Sequence, residues 1–104
     1  MTWFERIIAA HVAVTDNVSH AERLTSDRYF VWVEDGSNDL KAGDGHAERA
    51  ITGITDFYTK QTFDPWADDL GMSFTRLGIA WELVSIDYEE ETEFFHYSWN
   101  WEVS

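Results

Sequence analysis

The chain has 104 residues, one domain's worth, with 20 Asp and Glu against 7 Lys and Arg, a net charge of −13, and no cysteine. These counts exclude a disulfide framework and Cys-ligated metal or redox chemistry. They also weigh against a phosphate-gripping surface, because like charge repels a nucleic-acid backbone and few bases are present to release counterions.

Thr2 and Glu5 have the Thr-x-x-Glu spacing of a capping box. Trp3, Phe4, Ile7, Ile8 and His11 then recur at three- and four-residue steps, which predicts a helix with one largely apolar face ending near Val14. Met1–Arg6 has no basic segment leading into an apolar run and does not read as a signal peptide. Asp16-Asn17 is a turn signal, and residues 15–27 read as an ordered connection anchored by Val18, Ala21 and Leu24. Arg28–Glu34 is the first strand. Tyr29, Val31 and Val33 alternate with Phe30 and Trp32, so both of its faces are expected to be covered. Asp35–Gly45, with Asp-Gly at each end, reads as a long mobile loop.

Residues 47–60 form the second predicted strand, with Gly53 as a candidate bulge. Asp64 is a good N-cap, and Pro65 stands at the first helical position, where its missing N–H costs nothing. Trp66, Leu70, Phe74 and Leu77 line one face of this second helix, and Gly78 stops it. Ile79–Tyr88 is a third strand and Glu89–Glu93 an acidic turn. Phe94–Val103 is a fourth strand, with Phe95, Tyr97, Trp99, Trp101 and Val103 on one face. The expectation is a single α+β domain over residues 1–104, in the order α-β-β-α-β-β. Its sheet is mainly antiparallel or mixed and flanked by helices. No apolar run approaches the ~20 residues of a membrane span.

Nothing in this pattern signals catalysis, and no catalytic, cofactor-binding or metal-binding residue is assigned. His11, His20, His46 and His96 are scattered, with no His-x-x-x-His spacing, and read as ordinary surface or half-buried imidazoles. Asp35, Ser37 and Asp39 start like a calcium loop, but Leu40 stands where that motif needs Gly and His46 where it needs Glu. Chance carboxylate pairs are unavoidable among 20 acids, and Glu89, Glu90, Glu91 and Glu93 are crowded and solvated. The Phe95-Tyr97-Trp99-Trp101 stripe is read first as a core face and second as a protein interface. Base stacking would need a basic groove beside it, and no Lys or Arg follows Arg76.

The layout Asp56-x-Tyr58-x-Lys60, a helix from Asp64-Pro65-Trp66 to Leu77-Gly78-Ile79, Tyr88-Glu89-Glu90-Glu91-Thr92 and an aromatic strand at 94–103 resembles a known family. It is similar to the tail completion, or tail terminator, proteins of long-tailed phages and prophages. The resemblance spans roughly residues 28–103. It implies a structural, non-enzymatic virion assembly protein without a cofactor. Such a protein forms a homo-oligomeric ring, commonly a hexamer, that caps the tail tube protein and joins it to the head connector or neck protein. It implies a place in the host bacterial cytoplasm during assembly and then in the virion, with no membrane partner. DNA would pass the lumen without being bound specifically, and an acidic wall drawing on Glu89–Glu93 or Asp35–Asp44 would serve that by repulsion. Another neck or minor capsid protein, an acidic DNA mimic that blocks a DNA-binding protein, and a small enzyme are the competing readings.

Overall fold

The structure, a computed structural model, describes residues 1–41 and 47–104, and the side chains of these except at 39–41 and 47–49. The elements are α1 (Trp3–Val12), β1 (Val18–His20), β2 (Arg28–Lys41), β3 (Ala47–Thr59), α2 (Pro65–Arg76), β4 (Ala80–Glu89) and β5 (Phe94–Val103). The strands make one five-stranded sheet in the order β1-β2-β3-β5-β4. Among the described residues only the β1–β2 pair is parallel, so the α+β expectation holds and the sheet is mixed.

Both helices start as their sequences dictate. Thr2 accepts from the Glu5 backbone N–H at 3.1 Å while Glu5 accepts from the Thr2 N–H at 3.2 Å, completing the capping box. Asp64 accepts from the Trp66 N–H at 3.0 Å, and Pro65 opens α2 behind it. Gly78 adopts φ +70°, the left-handed turn that ends α2 without a Cβ clash. The two helices lie on the same face of the sheet and are tied together. Ser73 Oγ donates to the Ala10 carbonyl at 2.6 Å, and the Arg6 guanidinium donates to the Leu77 carbonyl at 2.6 Å.

Beneath them lies the main core. Ile7, Ala10, Leu70 and Phe74 from the helices meet Phe30, Trp32, Phe57, Tyr97, Trp99, Trp101 and Val103 from the sheet. Each large apolar side chain buried there contributes on the order of 2–3 kcal/mol. The aromatic stripe of β5 is therefore a core face. On the opposite face Tyr29, Val31 and Tyr58 pack with Leu24 and Phe94, so β2 is covered on both sides over Tyr29–Trp32.

Four expectations are corrected. Asp35–Lys41 is strand rather than loop: it continues β2 and pairs with β3 as far as Lys41–Ala47. The Asp-Gly signal is absorbed by a β-bulge between Glu34 and Gly36, where Asp35 accepts from Thr52 Oγ1 at 2.7 Å. Residues 42–46 lie outside the described residues. Gly53 sits opposite that bulge rather than in one of its own; it is there because a Cβ would overlap the Trp101 ring. The 15–27 connection contains the short strand β1, and Ala21 is no anchor. Ala21 is exposed with φ +67°, whereas Val18 and Leu24 pack against the two cores.

Because β5 reaches only to Ile51 on β3, the pairs from Asn38–Ala50 to Lys41–Ala47 extend as a two-stranded arm, and the molecule measures 54 × 23 × 21 Å. Asn38 Nδ2 braces its base by donating to Glu102 Oε1 at 3.1 Å.

Candidate assembly surface

Among the described residues strand β4 pairs with β5 along one side only, so its other side presents unpaired backbone N–H and C=O groups along its ten residues. Its register with β5 sets the side chains. Trp81, Leu83, Ile86 and Tyr88 lie opposite Trp101, Trp99, Tyr97 and Phe95, on the helix side of the sheet. The β5 residues are covered; those of β4 are not. Trp81, Leu83, Val84, Ile86 and Tyr88 are 41–55% exposed. A second bulge, between Leu83 and Ser85, inserts Val84 into the edge.

Helix α2 stands beside this strand and leaves a groove of about 420 Å³ between them. Tyr97 and Trp99 form its floor, Leu83 and Ile86 one wall, and Ala67, Gly71 and Met72 the other. Gly71 lets the Trp81 ring close one end, since a Cβ there would come within 2.8 Å of the ring. Trp81 Nε1 is held by donating to Thr75 Oγ1 at 2.9 Å. Phe63, 91% exposed with φ +53°, stands at the other end beside Asp64. An apolar groove this long on one edge, rimmed by Asp68, has the composition of a contact surface.

The polar clusters elsewhere act within the fold. Asp64 is the largest of them: it accepts from Arg28, from Thr59 Oγ1 at 2.7 Å and from the start of α2. Burial pushes its carboxyl up, but these hydrogen bonds and the Arg28 charge outweigh that and hold it below the ordinary carboxylate value. On the open face, His96 Nε2 lies 2.7 Å from Asp56 Oδ1, and its ring stacks on Tyr58 with 4.4 Å between centroids. These groups satisfy one another across adjacent strands. Among the described residues no group of three or more His, Cys, Asp or Glu side chains could hold a metal ion.

The four histidines separate. His20 is exposed against Glu34, His96 is half-buried, and His46 lies outside the described residues. His11, expected at or near the surface, is fully buried. Its Nδ1 lies 2.8 Å from the Ile7 carbonyl, which can only accept, so Nδ1 carries the proton. Nε2 then accepts from Thr55 Oγ1 at 2.9 Å, and Thr55 in turn accepts from Trp101 Nε1 at 3.0 Å. Desolvation lowers the His11 pKa from 6.5 to about 4, against the raising effect of the Ile7 hydrogen bond. Helix periodicity marked His11 as facing the sheet; its partner Thr55 is 44 residues away and no local signal pairs them.

No helix among the described residues is long and apolar enough to cross a membrane. Compared with known proteins, the chain matches no family model and no curated protein sequence.

Proposed function

We propose that this chain is a structural assembly protein that acts by joining other protein chains side by side, as a tail completion subunit does at the end of a phage tail tube. The observation that carries this reading is β4: a ten-residue edge strand with open backbone groups, a row of half-exposed apolar side chains and an apolar groove alongside. Monomeric proteins shield such edges with charge, proline or a covering element, because they template further pairing. Here Glu82, Asp87 and Glu89 charge the edge while its apolar row stays uncovered.

In this reading the subunits form a ring, with the tail tube protein on one side and the head connector on the other. The ring assembles in the host cytoplasm and ends in the virion. The net charge of −13 keeps passing DNA from adhering to it. Negative-stain electron microscopy of the concentrated protein, alone and mixed with tail tubes, tests the reading. Rings, or caps on tube ends, are expected. A protein that stays monomeric and never docks on tubes ends the proposal.

A further inference from the structure

The sheet has a second open edge, at β1, and it differs from the β4 edge in a complementary way. On α1, Arg6 and Ala10 face α2, where they contact Leu77 and Ser73. Phe4, Ile8 and Val12 lie about half a turn round the helix from that side, at i, i+4 spacing, and are 38–47% exposed. Phe4 packs on the stacked His20 and Trp32 rings of β1 and β2, 5.6 and 5.5 Å between centroids, which sets this stripe on the β1 side of the helix layer. It lies on the helix side of the sheet, the side on which the α2–β4 groove opens at the other end.

We infer that the α1–β1 edge of one copy seats on the α2–β4 edge of the next, so that copies join head to tail with the sheet continued across the contact. This rests on the assembly reading above and names its contact. Setting β1 of the second copy beside β4 brings its Ile8 stripe against Leu83, Ile86 and Met72, where it closes the groove. The backbone ladder extends over the three residues of β1, and the helix in the groove buries most of the apolar area.

Charge selects the second copy's α1–β1 edge over its β4 edge. The edge strand β1, Val18-Ser19-His20, carries no acid, whereas β4 carries Glu82, Asp87 and Glu89. Joining unlike edges places a strand without acids against the acidic one. Joining β4 to β4 would set Glu82, Asp87 and Glu89 of both strands side by side across a ladder about 5 Å wide, where like charges repel. A head-to-tail contact is heterologous: it closes into a ring when the rotation per copy divides a full turn, and runs on as a filament otherwise.

Two exposed-site variants test the contact. Ile8→Asp blocks the head and Leu83→Asp blocks the tail, and far-UV circular dichroism confirms that each is folded. By sedimentation velocity at physiological salt, the wild-type chain should form oligomers. Each variant alone should remain monomeric to at least about tenfold higher concentration. An equimolar mixture should give 1:1 dimers and nothing larger, because one intact head then meets one intact tail. The inference is overturned if either folded variant assembles like the wild type, if the mixture stays monomeric, or if the wild type never associates. A wild type that fails these tests yet caps tail tubes in micrographs would leave the assembly reading standing and remove only this contact.

Discussion

The Arg28 guanidinium grips the Asp64 carboxylate at two points, Nε to Oδ2 at 2.8 Å and Nη2 to Oδ1 at 2.6 Å, and its Cζ lies over the Trp66 ring, 3.5 Å from the centroid. One residue of β2 is thereby fixed to the cap of α2, and α2 is the wall of the groove. Asp64→Ala leaves the half-buried Arg28 guanidinium and the buried Thr59 hydroxyl without their acceptor and removes the helix cap. We expect a loss of about 3 kcal/mol, the lower end for a broken buried pair because Arg28 is partly solvated. The urea midpoint measures it. The Asp64 carboxyl is held below its ordinary value, so its contribution is complete above about pH 4 and is lost as pH falls through the lowered folded value.

His11 acts in a different pH window. Its folded pKa of about 4 lies below the unfolded value of 6.5, so below 6.5 the unfolded chain takes up a proton that the folded chain refuses. Stability is full above 6.5, declines toward pH 4 at about 1.4 kcal/mol per pH unit, and is level beyond, a total of roughly 3 kcal/mol. Urea titrations at pH 7 and pH 5 should differ by about 2 kcal/mol. His11→Met, though less stable at pH 7, should lose that difference.

Two glycines meet tryptophans and should respond unequally. At Gly53 a Cβ would overlap Trp101, which is buried and anchored to Thr55, and would also press on the Val33 carbonyl. Gly53→Ala should therefore cost about 1–3 kcal/mol as an overpacked site. At Gly71 the neighbour is Trp81, 42% exposed and able to swing outward. There the helix preference for alanine, about 1 kcal/mol, offsets the displacement, and Gly71→Ala should be close to neutral by thermal melt. The displaced Trp81 would still disturb the groove, so self-association should weaken while the fold does not.

Salt should favour assembly. Copies that each carry −13 repel over distance, while the proposed contact is apolar. Raising ionic strength from 0.1 M to 1 M shortens the screening length from about 10 Å to about 3 Å. The concentration at half-assembly should fall accordingly. A rise on adding salt, read by light scattering, would mean that ion pairs hold the copies instead.

Local chemistry settled a large part of this molecule in advance. The capping box at Thr2, the Asp64-Pro65 start and the Gly78 stop placed both helices within two residues, because these signals act through backbone groups a few positions away. Period-two alternation assigned the core face of β5 for the same reason. What local pattern could not carry was position. The Asp-Gly at Asp35 reads as a turn until a facing strand turns it into a bulge, and β1 is too short to show a period. Trp81 and Leu83, and beyond the bulge Ile86 and Tyr88, each flank an acid as in a half-buried strand, but the pattern changes phase at Val84 and nothing in it says that β4 is outermost. Only the strand order, with β5 between β3 and β4, leaves that row without a covering neighbour. His11 is the same lesson in the core: its sequence places it on the inner helix face, but the desolvation that lowers its pKa comes from Phe30, Trp32 and Phe74, residues brought around it from two other elements.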